Sequence, residues 1–212
     1  RAGDEEPLYE VVNGQHVDLP PMSAYATWIA SRLDHRLGPF VEEHGLGTVV
    51  TEMLFILDPR RNLRRRPDVA FVSAKRWPVN RALPESGDWD VVPDLAVEVV
   101  SPTDEFSDVV AKLREYFEYG VRRVWVILPE QSQVYVYESP TQVRILAAGE
   151  TLSGGDLFPG FALPLASNAN GVASHSPGLP RSGYPGSGRH TPFLPQRGCR
   201  LDWGHPAPGS PP

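Results

Sequence analysis

The chain holds a single cysteine, Cys199, which excludes an internal disulfide and a zinc site built from cysteines. No apolar run approaches the roughly 20 residues needed to cross a bilayer, so no membrane partner is expected. The opening RAGDEEPLYE has no apolar stretch of signal-peptide type and reads as a fragment or processed start, with nothing that directs export. Together these lacks point to a reducing, cytoplasmic setting. No G-x-S-x-G elbow, phosphate-binding P-loop or dinucleotide fingerprint occurs. His16, His35 and His44 are too scattered for metal-ligand spacing. Lysine is scarce as well: Lys75 and Lys112 are the two in 212 residues, and arginine carries the rest of the positive charge.

What remains is the composition of one folded domain, with 41% hydrophobic and 22% charged residues. The net charge of −6 seems to disfavour a nucleic-acid partner, which is bound through clustered Lys and Arg. Charge is unevenly spread: up to Ala166 there are 16 basic against 25 acidic residues (−9), and after it four Arg against one Asp (+3). One dense basic run, RRNLRRR, places Arg60, Arg61, Arg64, Arg65 and Arg66 just before Pro67-Asp68. It reads as an Arg-rich loop, either a phosphate-facing patch or a solvated surface. From residue 167 on, nine of 46 residues are Pro and eight are Gly, with no hydrophobic periodicity. Such a segment buries too little apolar surface to offset its ordering entropy. The expected organisation is therefore a domain over 1–166 and a disordered tail over 167–212.

LYEVV, Asn13-Gly14 and QHVDL predict an N-terminal β-hairpin, because Asn-Gly accepts the positive φ angles of a two-residue type I′ turn. Tyr25, Trp28, Ile29, Leu33, Leu37 and Val41 recur at helical spacing and predict an amphipathic helix from Ser23, its N-cap, to about Glu43. TVVTEMLFIL, VAFVS and LAVEVVS follow as strands. A helix is expected over about 107–119, with Val109, Val110, Leu113 and Phe117 towards a core and Gly120 as its stop. VRRVWVIL and VYVYE complete the strands. Strand, helix and strand in this order suggest a crossover between parallel neighbours. The fold class is α/β of the α+β kind, a mixed sheet flanked by helices.

Three residues carry the chemistry. Glu98 lies in LAVEVVS, a strand apolar on both faces, where a charge costs several kcal/mol unless it is paired or binds a cation, so either a buried ion pair or a metal is required. Asp68 stands directly before VAFVS, where an Asp also serves as a turn residue or cap. Both strands are introduced by Pro-Asp, and if they pair side by side the two carboxylates converge. Carboxylate oxygens suit Mg²⁺ or Mn²⁺, and Mg²⁺ often takes only one or two protein carboxylates with water and phosphate completing its shell. Lys112 falls on the following helix in a stripe with Asp108, Tyr116 and Tyr119. It is either an exposed lysine paired with Asp108 or a compact cation able to position a water and stabilise developing negative charge.

RPDVAFVS, PDLAVEVVSPTDEF and DVVAKLREYFEYGVRRVWVILP, with LYEVVNGQHVDLPP near the start and GDLFPGFALPL near the end, resemble the Uma-type family of candidate restriction endonucleases. That family is an outlying branch of the PD-(D/E)xK nuclease superfamily, and the resemblance covers about residues 8–165. It implies a restriction-endonuclease-like fold, with Asp68 as the motif's Asp and Glu98 as its second carboxylate. The usual lysine position is Val100 here, so Lys112 would be a lysine that has migrated to the helix. Glu10 would be a further site carboxylate and Asp94 an alternative metal ligand beside Asp68 and Glu98. Tyr116 would pack near the site. Two departures stand out: Ala26 where relatives carry a histidine, and Arg123 and Leu128 where acidic residues are frequent. The implied activity is Mg²⁺- or Mn²⁺-dependent hydrolysis of DNA, by a homodimer, with Arg61, Arg64, Arg65 and Arg66 on the phosphate backbone. A non-cleaving binding or regulatory module, and a nuclease acting on RNA or branched DNA, are the rival readings.

Overall fold

The computed structural model describes residues 7–85, 87–101 and 104–165; the segment 167–212, expected as a disordered tail, lies outside them. The hairpin forms where the Asn-Gly pair calls for it. Asn13 and Gly14 take φ of 52° and 78° and join β1 (Tyr9–Val12) to β2 (Gln15–Asp18) in antiparallel register. Helix α1 (Ala24–Glu43) starts where the Ser23 hydroxyl accepts a hydrogen bond from the Ala26 amide at 3.1 Å. It buries Ala26, Ile29, Ala30, Leu33, Leu37 and Val41, one row at three- and four-residue steps. Trp28, expected on that row, sits to its side and is 38% exposed.

TVVTEMLFIL, read as one strand, is two. The chain leaves β3 (Gly47–Thr51) at Glu52, whose φ of 50° is a left-handed turn, and re-enters as β4 (Phe55–Asp58) in a different sheet. The Arg-rich run is likewise not a loop, because Leu63–Arg65 forms β5, paired antiparallel with β4. Leu63 is buried against Phe55 and Leu57, and that apolar anchor draws the flanking arginines into the fold. Strand β5 also meets β1, giving a small sheet ordered β2-β1-β5-β4.

The main sheet adds β6 (Val69–Ser73), β7 (Leu95–Val99), β8 (Arg123–Leu128), β9 (Gln133–Ser139) and β10 (Gln142–Ala147) to β3, in the order β10-β9-β8-β7-β6-β3. Strands β7 and β8 run parallel, as the strand–helix–strand order predicts, joined through α2 (Phe106–Glu118). A two-stranded ribbon of β11 (Thr151–Ser153) and β12 (Ala162–Pro164) ends the described chain. Alternation along the central strands splits the core in two. Val69, Phe71, Leu95, Val97 and Val99 pack with α1 and the ribbon, whereas Ala70, Val72 and Ala96 pack with Leu113 and Tyr116 of α2 and with the small sheet. The second face holds the candidate site.

Gly47 is tightly constrained. A Cβ on Gly47, at φ 152°, would lie 2.1 Å from the Val72 carbonyl oxygen and 2.8 Å from the Ser73 Cα, backbone that cannot move aside. Gly47→Ala should lower unfolding free energy by more than about 2 kcal/mol in urea titrations. Gly45→Ala, with a positive φ but open space around the new Cβ, should cost only about 1 kcal/mol.

Candidate active site

Strands β6 and β7 pair antiparallel with Val69 opposite Val97. The paired register ends there: Asp68 is the bend residue just before β6 and Glu98 is the residue after Val97, and they lie close enough for the Glu98 charge to act on the Asp68 carboxyl. Backbone bonds hold Asp68 there: its amide donates to the Val97 carbonyl at 3.0 Å, and its carboxylate accepts from the Val99 amide at 2.5 Å. Glu98 is 8% exposed. The Lys112 ammonium donates to its Oε2 at 3.0 Å and the Tyr116 hydroxyl to its Oε1 at 2.6 Å.

Helix α2 is therefore rotated from the expected orientation. Leu113 and Tyr116 are its buried residues, and the stripe carrying Lys112 and Tyr116 faces the sheet because the Glu98 carboxylate is there to receive it. Asp108 is not the partner of Lys112. Its second carboxylate is that of Glu10 on β1, with Nζ 3.3 Å from Glu10 Oε1.

Glu10 is 1% exposed and fully engaged. Its Oε1 also accepts from the Arg66 amide at 2.9 Å, and its Oε2 receives Arg65 at 2.6 Å. The Arg65 Nε reaches Glu115 of α2 at 2.6 Å. Glu115 was not singled out from sequence. Its signal was its place on α2, three residues beyond Lys112, with Tyr116 next to it. The cluster opens into a cleft of about 810 Å³ whose lining includes Glu10, Arg65, Asp68, Glu98, Lys112 and Glu115.

Electrostatics follow from four carboxylates facing two cations. Burial, and then the negative charge of Glu98, push the Asp68 carboxyl up to about 8. Burial also raises Glu98, opposed in part by Lys112 and the Tyr116 hydroxyl. Burial works against the Lys112 charge, yet Glu98 and Glu10 outweigh it and hold the ammonium protonated beyond the usual lysine range. Tyr116 is raised by burial and then by the neighbouring carboxylates, and remains a donor.

Asp94 lies away from this cluster, and the expected arginines are dispersed. Asp94 shares a strand face with Glu98 but sits four residues away, about 13 Å along an extended chain. Its carboxylate accepts from the Ser73 amide at 2.9 Å and pairs with Arg76 at 3.2 Å and Arg122 at 3.7 Å, so its oxygens are engaged away from Glu98. The arginines do not form a common patch. Arg61 bonds Glu118 and the Tyr119 hydroxyl at 3.2 and 2.8 Å, and Arg64 pairs with Asp88. Arg65 is buried between Glu10 and Glu115. Arg66 donates to the Tyr9 and Glu52 carbonyls, and it lines the cleft. Alternation along β5 turns Arg65 inward and Arg64 outward.

Residues 3–166 match the Uma2 family, described as "Putative restriction endonuclease", and the chain belongs to that family. A solved structure titled as a "putative nuclease belonging to DUF820 from Anabaena variabilis ATCC 29413" is similar in fold, with TM-score 0.61 and 18% identity over 76% of this chain and 88% of that one. No curated protein matches the chain. No helix among the described residues is long and apolar enough to cross a membrane.

The raised Asp68 carboxyl has a measurable consequence. Between the unfolded value near 3.8 and the folded value of about 8, the native state holds a proton that the unfolded state lacks, so stability falls as pH rises through that window. Asp68→Asn removes this dependence. In metal-free buffer its stability relative to the unsubstituted protein should rise by at least about 1 kcal/mol between pH 5 and pH 8. A pH-independent difference in thermal or urea denaturation would count against the half-buried placement of Asp68 beside Glu98.

Proposed function

We propose that the chain is a divalent-metal-dependent endonuclease that hydrolyses phosphodiester bonds in DNA, with Asp68 and Glu98 holding Mg²⁺ or Mn²⁺. The observation that carries the reading is the proximity of Asp68 and Glu98 in one cleft, with Lys112 bonded to Glu98. Among the described residues no three His, Cys, Asp or Glu side chains form a metal cage. Two carboxylates with an open side suit a hard cation that keeps waters and takes a substrate phosphate oxygen. A cation bound there would supply Lewis-acid stabilisation of the phosphate charge and a more acidic water.

The chain's own residues do the rest. Glu98 lies within β7, and Asp68, just before β6, is tied to that same strand by its bonds with Val97 and Val99, so the two carboxylates are held by backbone rather than by a free loop. Lys112 is held protonated by two carboxylates and acts as a donor to negative charge developing on the phosphate, not as a base. Tyr116 fixes the second oxygen of Glu98. Other cleft-lining residues include Asp18, Glu52, Asp104, Glu105 and Asp108. A phosphate entering past them gains from a cation that offsets like-charge repulsion. Arg66, which lines the same cleft, is the candidate backbone contact. Each copy carries one such cluster, so cutting both strands of a duplex takes two copies, as in a homodimer, or two successive events.

The competing reading, a non-cleaving module on the same fold, draws on the fact that Lys112 and Tyr116 already engage both oxygens of Glu98. Plasmid nicking decides between them. With Mg²⁺ or Mn²⁺ the protein should convert supercoiled DNA to nicked and linear forms, and chelation should abolish this. Glu98→Gln and Lys112→Ala should each lower the rate by about 10²- to 10³-fold while circular dichroism is unchanged. Salt-sensitive DNA binding without metal-dependent cleavage would establish the non-cleaving module.

A further inference from the structure

We propose that Arg65 and Glu115 are positioning residues, a buried bridge that fixes Glu10 and through it seats the Lys112 ammonium on Glu98; this rests on the nuclease reading of the site. Arg65 had the look of a phosphate contact, standing in the basic run ahead of Pro67-Asp68. Its side chain is 8% exposed and spends its Nε on Glu115 and an NH₂ nitrogen on Glu10, both at 2.6 Å. Reaching a phosphate would leave Glu10, whose side chain is 2% exposed, with its Oε2 unpaired and Lys112 as its remaining cation.

The bonds close a ring that begins and ends on α2. Glu115 binds Arg65 of β5, Arg65 binds Glu10 of β1, Glu10 binds Lys112, and Lys112 lies one helical turn before Glu115. Glu98 on β7 joins through Lys112 and Tyr116 of that same helix. Arg65 is the member that decides how Glu10 is shared. With Oε2 held by Arg65, Glu10 offers Lys112 only Oε1, already bonded to the Arg66 amide, and at 3.3 Å against the 3.0 Å to Glu98. Without Arg65 the whole Glu10 charge is free to attract the ammonium away from Glu98. Without Glu115 the guanidinium loses the contact that sets its plane, and the bond to Glu10 loses its direction. Glu115 also anchors the helix to the small sheet, so the bridge ties α2 to the strands carrying Arg65 and Glu10.

Because Lys75 and Lys112 are the two lysines of the chain, lysine-selective ¹³C labelling gives one reporter for the site and one internal control. The test compares Arg65→Met, which keeps volume without charge, and Glu115→Gln, at a residue whose side chain is 23% exposed and whose replacement should fold if Arg65→Met does not. Three readouts are taken on the full chain: the Lys112 Cε resonance, DNA affinity as a function of salt, and the single-turnover nicking rate with Mn²⁺. Both variants are expected to shift the Lys112 resonance while Lys75 stays put. Nicking should fall by about 10- to 100-fold, the size seen for residues that orient a ligand from behind it. DNA affinity and its salt slope should hold within about twofold. An unmoved Lys112 resonance overturns the proposal. So does an Arg65→Met protein that nicks at the original single-turnover rate but binds DNA more weakly, with a salt slope reduced by about one, the mark of a lost phosphate contact. Should the unsubstituted protein fail to nick DNA with either metal, the nuclease reading falls, and the Lys112 resonance alone still decides whether Arg65 and Glu115 seat the lysine.

Discussion

Burying the Glu98 carboxylate in the centre of β7 is the constraint around which the rest of the domain is arranged. Its strand neighbours are Val97 and Val99, both buried, and its own position is 8% exposed. An isolated charge there would be untenable, and removing one partner of a buried pair typically costs about 3–5 kcal/mol. Two donors meet it, Lys112 and Tyr116, and both come from a single helix. The rotation of α2 against the sheet, the burial of Tyr116 and the closeness of the small sheet to α2 all follow from supplying and balancing those donors. Lys112 in turn needs a second anion, which Glu10 provides, and Glu10 needs Arg65.

Such an arrangement is expensive in structural terms and gives little net stability, since buried ion networks roughly offset their own desolvation. Apolar residues in the same positions would pack as well. What the network does provide is a fixed geometry: an excess of carboxylates over cations, open to solvent on one side through the cleft. Asp68 sharpens this. Among the described residues it forms no salt bridge, and burial first, then the nearby charge of Glu98, push its carboxyl up to about 8. Neighbouring carboxylates kept in tension by a rigid sheet are well suited to a divalent ion and poorly suited to a purely structural role.

The sequence made the two central carboxylates legible because each stands in a setting that penalises it. Glu98 interrupts an apolar strand, and Asp68 repeats the Pro-Asp entry of that strand. Hairpin, helices and the parallel β7–β8 pair were equally open to reading, since Asn13-Gly14, Ser23 and Gly120 mark their turns and ends through local backbone requirements. Less visible was anything decided by the partner across space. Glu52 breaks TVVTEMLFIL into strands of two sheets, and nothing in its residue type announces a left-handed turn. Arg65 looked like its half-buried neighbours Arg64 and Arg66 until strand alternation turned it inward. Asp94 satisfied the spacing for a second ligand, yet Ser73, Arg76 and Arg122 claim its carboxylate from segments remote in the chain.

The account stands on Asp68 and Glu98 converging on one cation with Lys112 beside them, and anomalous diffraction from crystals soaked in Mn²⁺ reads this directly. A single strong peak bonded to oxygens of both carboxylates, with the Lys112 ammonium still on Glu98, is the predicted result. A peak at Asp94 or elsewhere, or a Lys112 side chain turned out to solvent, would contradict it.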